Sequence, residues 1–325
     1  MRTIDVSTKT IIKIFLVPLA AYILWMYQDI LFSIFIAFII MSALRPAVNY
    51  LNHQKRIKRP LATAIVYLIF VFALSIVMGT IIPPIIKETT LFIENLPMTL
   101  AHMNPDILSA IRLQEISQYL PDVPKQLFSI ISNIFSNTLF VVTSSVFGFY
   151  FLSDEFLIRN LIEDYIKPET MRKIENALLR TESRLASWFW GELTLMLAVG
   201  IASYIGFYLI GLKYALPLAV LAGLLEAVPN IGPTVAAVPA TLIGFSVSPF
   251  FGFAALIWSI IVQQLENNFL VPYIMKKAVG IRPVVTMLCI FFGLRLAGPL
   301  GVLLAVPTYL CVQTLILDPH AHKKR

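Results

Sequence analysis

The feature that most constrains this chain is a run of helix-breaking residues inside an apolar region, residues 224–239, LLEAVPNIGPTVAAVP. Pro229 and Pro233 lack backbone donors and restrict the residues before them. Gly232 permits backbone angles that other residues avoid. The stretch therefore predicts a helix ending near Val228 and a new helix beginning near Thr234. Within a membrane, such a break is tolerated only where protein buries it or where it lines a cavity, so it also predicts a site.

The composition places this break in a membrane protein. The chain is 58% hydrophobic and 13% charged, with a mean hydropathy of +0.82. Soluble domains average about 45–50% apolar and about 25% charged residues. The net charge of +7 lies in clusters beside apolar runs, as in HQKRIKRP at residues 53–60. This pattern fits the positive-inside rule better than nucleic-acid binding, and it predicts an all-α membrane protein with cytoplasmic N- and C-termini.

The chain divides into six predicted regions. Residues 1–84 are N-terminal transmembrane helices, 85–130 an external amphipathic segment, 131–152 a transmembrane helix, 153–187 a cytoplasmic amphipathic helix region, 188–316 a C-terminal transport core with two broken helix pairs, and 317–325 a cytoplasmic tail. The external segment serves either as a surface cap or as a vestibule. The hydroxyl side chains of the 131–152 helix serve either close helix packing or a wet pathway.

Two segments of the core share a short–break–short pattern. Residues 215–228 and 234–247 are each shorter than the roughly 20 residues that a span needs. Residues 283–297 and 299–316 repeat the pattern, and both segments carry a Gly-Pro break followed by Ala-Val-Pro. Paired Gly/Pro-interrupted segments are the best sequence indication of a transporter binding site. A chance alignment of proline and glycine is the alternative.

Glu226 is the leading candidate for function. A charge at the bilayer centre costs roughly 2.5–3.5 kcal/mol on insertion scales, so this carboxylate should face a cavity or a partner. Asn230 lies four residues further on. With Pro229, Gly232 and Pro233, these residues are predicted to bind a small polar solute, a monovalent cation or a proton. The alternative is a structural carboxylate that caps the broken backbone.

A second polar group follows in the next apolar run. Gln263, Glu266 and Asn267 share a helix face by their spacing and are candidates for a second wall of the site, or else for the membrane interface. Arg295 lies in the second break and either neutralises Glu226 or Glu266 or extends towards the interface. No phosphate loop, metal-ligand spacing or nucleophile triad is apparent, which predicts no enzyme activity, no cofactor and no metal site.

The last third resembles the autoinducer-2 exporter (AI-2E) family of bacterial permeases. The resemblance rests on EAVPNIGPTVAAVPA at 226–240, ENNFLVPYIMKKAVGIRPVV at 266–285 and GPLGVLLAVP at 298–307, with a weaker match at LRPAVNYL, 44–51. It implies a transporter of the bacterial cytoplasmic membrane with about eight membrane-embedded segments. It also implies a homo-oligomer, with a pentamer as the expected form.

The resemblance leaves the substrate open. The family name indicates export of a small polar solute, the furanosyl borate autoinducer-2, coupled to ion or proton movement. Other members resemble Na⁺(Li⁺)/H⁺ antiporters. A non-transporting membrane scaffold is the third hypothesis.

Overall fold

The computed structural model describes most of the membrane-type segments of the chain. The described residues are 16, 18, 19, 22, 26–76, 79, 138–154, 157–229, 231–275, 281 and 283–317, and every regular element within them is helical. The predicted external segment 85–130, the tail from residue 318 and Asn230 lie outside them. Most of residues 1–25 do so as well.

Three helices form an N-terminal bundle. They are α1 (Gln28–His53), α2 (Arg59–Ile76) and α3 (Thr138–Ser153). Their contact is an apolar cluster formed by Met41, Leu44, Val48, Ala62, Val66, Tyr67 and Leu152. Arg59 ties the bundle together, because its Nε donates to the Leu152 carbonyl at 3.0 Å and its guanidinium also donates to Asn49 at 3.2 Å.

One long helix connects this bundle to the rest of the chain. After α4 (Leu157–Ile162), the helix α5 runs without interruption over 43 residues, Pro168–Ile210. The helix thus continues across the predicted boundary between residues 187 and 188, so the charged segment and the apolar span form a single rod. Trp190 lies just past that boundary and donates its indole N–H to the Ala43 carbonyl of α1 at 3.0 Å. This tryptophan thus joins α5 to the N-terminal bundle.

A helical hairpin packs on the apolar half of α5. Its arms are α6 (Ala215–Leu225) and α7 (Gly232–Val247). Ala215 and Ala240 share one buried cluster, whereas Ala222 and Ala236 share another, nearer the turn. The two arms are therefore antiparallel, with residues 226–231 at the tip.

The helix α8 (Pro249–Leu265) runs back along α7 towards this tip. Gln263, near its end, donates to the Thr234 hydroxyl at the start of α7, at 3.1 Å. A π-helical turn (Glu266–Leu270) and the short α9 (Val271–Ile274) continue it. The end of α8 and the tip of the hairpin are consequently neighbours.

The second interrupted segment folds back on itself. It consists of α10 (Pro283–Leu303) and α11 (Ala305–Val312). The backbone of α10 leaves helical geometry at Ala297 and at Gly298, where φ is +58°. Gly293 and Gly301, on either side, approach so closely that a side chain at either would meet the other's backbone carbonyl. Gly298 is needed for its positive φ, whereas Gly293 and Gly301 are needed because their backbones touch.

The helices have the length and surface of membrane spans. Among the described residues, five helices are long and apolar enough to cross a bilayer, namely Gln28–His53, Arg59–Ile76, Pro168–Ile210, Pro249–Ile274 and Val284–Leu303. Their outer faces expose large apolar side chains such as Leu68, Phe72, Phe253 and Phe291, which in water would be a liability. The part of the chain that the structure describes is therefore that of a helical, multi-pass membrane protein.

Candidate functional site

Three glutamates from three different elements are buried in the same region. Glu192 lies in α5, Glu226 directly follows α6, and Glu266 begins the π-helical turn after α8. Their exposed fractions are only 6%, 1% and 2%, respectively. Acidic side chains are almost never buried this deeply unless they are paired, so their partners decide what they do.

The packing of α5 against α6 brings Glu192 to Glu226. A Cβ placed on Gly223 would lie only 2.6 Å from the Met196 carbonyl, so these helices touch through their backbones. The helices are antiparallel, joined by the turn at Gly211 and Leu212. Glu192, one turn before Met196, therefore faces Glu226, three residues after Gly223.

The hairpin tip is a chain of tight turns that fixes Glu226. The Glu226 amide still donates to the Ala222 carbonyl at 3.2 Å, and Val228 donates to the Leu225 carbonyl at 2.9 Å. The break thus begins at Leu225 rather than near Val228, and α7 begins at Gly232 rather than near Thr234. The Val228 carbonyl accepts the Gly232 amide at 2.9 Å.

Gly232 is required here for a reason other than the predicted one. Its φ is not positive; among the described glycines only Gly211 and Gly298 have a left-handed φ. Instead, a Cβ on Gly232 would overlap the Leu225 carbonyl and lie 3.1 Å from the Glu226 amide nitrogen. The absence of a side chain lets the start of α7 close over the end of α6.

The π-helical turn turns Glu266 inward. Such turns widen the helix by one residue and occur frequently at functional sites. Glu266 is buried, Gln263 is half-buried and held by Thr234, and Asn267 is exposed. The three residues predicted to form a second wall of the site therefore do not lie together. Only Glu266 lies with the other buried acids.

The carboxyl groups of Glu226 and Glu266 lie within hydrogen-bonding reach of each other. Ionised carboxylates only accept hydrogen bonds, so a hydrogen bond between the two requires a proton on one of them. Glu226 Oε2, Glu266 Oε2 and Glu192 Oε1 are buried and have no hydrogen-bond partner among the residues that the structure describes.

No basic side chain neutralises these acids within the described part of the chain. The ion pairs found there are Arg45–Glu182, Arg159–Glu163 and Arg159–Glu175. Arg295 is exposed on α10, and no contact with the acids is seen in the described ranges. Over those same ranges, no three His, Cys, Asp or Glu side chains are arranged to hold a metal ion.

The other predicted residues of the first break frame the tip. Pro229 lies at the tip, and Pro233 is the second residue of α7, where a missing amide costs no hydrogen bond. Asn230 lies outside the described residues. The Gly232 and Val235 amides are already bonded within the tip, so the start of α7 has little to offer an anion.

Sequence reasoning missed Glu192 as a member of the site. The signal was an acidic residue inside an apolar run on the helix before the break. What the sequence does not show is that α5 and α6 pack closely enough to bring it to Glu226.

Comparison with known proteins gives one family over nearly the whole chain. A family model described as AI-2E family transporter matches residues 13–318. The chain is 30% identical to YueF, a candidate transport protein of Bacillus subtilis (strain 168), over 90% of this chain and 84% of that protein. It is 28% identical to YhhT, a candidate transport protein of Escherichia coli (strain K12), over 86% of this chain and 82% of that protein.

Proposed function

The chain belongs to the AI-2E transporter family, and we propose that it is a proton-coupled secondary transporter that exports a small polar solute. The Glu226–Glu266 pair is its proton site. The observation that supports this assignment is the close approach of two buried carboxyl groups in a region without a basic partner among the described residues.

The pair couples a proton to the conformation of the hairpin. Two unit charges about 4 Å apart repel by about 4 kcal/mol at an effective dielectric of about 20. Both carboxyl groups therefore cannot be ionised while the tip is closed over them. Loss of the proton favours a conformation in which water reaches the pair, and uptake of a proton favours the closed one.

The hairpin enters the membrane without crossing it. The 11 residues of α6 span about 16 Å, against a hydrocarbon core of about 30 Å. The α6–α7 tip and the Ala297–Gly298 turn are then two broken helix pairs of the transport core. The family resemblance supports about eight embedded segments, a pentamer, and placement in the bacterial cytoplasmic membrane with both termini in the cytoplasm.

Exchange of Na⁺ or Li⁺ for protons is the second candidate. It is favoured by the chemistry of the site, which offers carboxyl oxygens such as Glu226 Oε2 and Glu266 Oε2 that have no partner among the described residues. Hard cations take oxygen ligands. A membrane scaffold, by contrast, has no use for a buried, unneutralised acid pair.

Flux into proteoliposomes tests these alternatives. An internal pH dye records proton movement when autoinducer-2, Na⁺ or Li⁺ is added outside. We expect Glu226→Gln and Glu266→Gln each to abolish the proton signal, whereas Glu169→Gln, at an exposed position in the first turn of α5, leaves it intact.

The identity of the active solute separates export from cation exchange. Equal signals from wild type and Glu226→Gln would remove the pair from the mechanism. No signal with any of the three solutes would favour the scaffold.

A further inference from the structure

Glu192 has no structural task that explains its burial. It lies in the interior of α5, so it caps no helix end, and its Oε1 has no partner among the described residues. The contrast with Glu182 on the same helix is informative, because Glu182 is also buried but forms an ion pair with Arg45 of α1. An unpartnered buried acid is unfavourable and persists where function needs it.

The charged groups that face Glu192 are themselves acids. Glu226 reaches it from the end of α6, and Glu266 faces it from the π-helical turn. The chain after that turn packs beside it through Met275, which contacts Gly191 and carries no charge. From α1, the cation Arg45 is held by Glu182. Glu192 is thus an acid placed against the proton pair, with no described base to hold it ionised.

Glu192 lies on the helix that leads from the pair to charged, exposed residues. The first part of α5 carries exposed charges, Arg172 and Lys173 among them. Arg184, the last of the basic residues on this helix, precedes Glu192 by about 12 Å along the helix axis. Among the three buried acids, Glu192 is the one on the helix that carries these charges.

We propose, building on the function assigned above, that Glu192 is a proton relay residue between the Glu226–Glu266 pair and the solvent at the charged half of α5. In the outward step, Glu192 first releases its own proton to water. An O–H bond of the pair then breaks as a new one forms on the Glu192 carboxylate, and the pair keeps the negative charge that the proton leaves behind. Proton uptake is the reverse.

Relaxation after a pH jump measures this step without any transported solute. The protein in lipid nanodiscs is moved rapidly to alkaline pH, and infrared spectroscopy follows the carboxylic-acid C=O band of the pair. We expect Glu192→Gln to slow the decay of this band about 100-fold, the lower range for a positioned proton-transfer group. Glu192→Asp should restore most of the rate, because it keeps the carboxyl group.

Glu182→Gln is the matched comparison. It removes a buried acid of the same helix that is ionised in its pair with Arg45, so it should leave the decay rate unchanged even if it lowers thermal stability. A wild-type decay rate in Glu192→Gln, or an equal loss of rate in Glu182→Gln, would overturn the relay.

The relay and the proposed function fail separately. If wild type moves no protons in proteoliposomes but the decay depends on Glu192, the transport assignment falls and the relay stands. If wild type transports and Glu192→Gln decays normally, the relay alone is wrong.

Discussion

Replacing Gly232 by alanine should open the hairpin tip. The new Cβ would overlap the Leu225 carbonyl, and this carbonyl is itself fixed by the Val228 amide at 2.9 Å, so neither side can yield cheaply. Overpacking of this kind costs about 1–3 kcal/mol. Alanine's higher helix propensity offsets about 0.5–1 kcal/mol of this cost. The difference spans about 0–2.5 kcal/mol, and we expect a net destabilisation of about 1 kcal/mol from the middle of both ranges.

Gly200→Ala is the matched control in the neighbouring helix. The nearest atoms to its Cβ, from Ala219 and Gly223, lie at 3.5 and 3.6 Å, which is ordinary contact. Only the propensity gain of about 0.5–1 kcal/mol remains there. At about 2–4 °C per kcal/mol, the two purified variants should differ clearly in melting temperature. Proton flux should fall in Gly232→Ala alone, because its tip holds Glu226. Equal melting temperatures and fluxes would refute the close-contact explanation.

Two further contacts give predictions that melting curves can check. Glu182→Gln leaves Arg45 without its partner in a largely buried site and should lower the free energy of unfolding by about 3–5 kcal/mol. Replacing both residues by apolar ones should restore most of that stability. A Glu182→Gln variant as stable as wild type would contradict this explanation. Gly206→Ala should be destabilising because its Cβ would overlap the Trp258 ring. Trp258→Leu in the same chain should relieve the overlap. Destabilisation that persists in the double variant would place the clash elsewhere.

The class of the protein and the position of the hairpin tip could be predicted from the sequence. Apolar runs and basic clusters indicate helices in a membrane, and the prolines of residues 224–239 indicate a break to within three residues of where α6 ends. These features follow from local chemistry, which a sequence displays directly. The continuous α5 was missed because a change from charged to apolar residues marks a change of surroundings rather than a helix end.

The composition of the site could be predicted only in part. Glu226 and Glu266 were found because acids inside apolar runs are costly wherever they pack. Asn267 was grouped with them because regular helical spacing was assumed, and the π-helical turn changes that spacing. Glu192 was missed because its place depends on the backbone contact at Gly223, which no local pattern reveals.

The central claim is that Glu226 and Glu266 share a proton inside the protein. The infrared spectrum of the purified protein in lipid at neutral pH tests it directly. Besides any absorption from Glu192, wild type should show a carboxylic-acid C=O band of the pair that disappears in Glu226→Gln and also in Glu266→Gln, since the glutamine amide can then donate to the remaining carboxylate. Absence of the band from wild type, or its survival in both variants, would contradict the account.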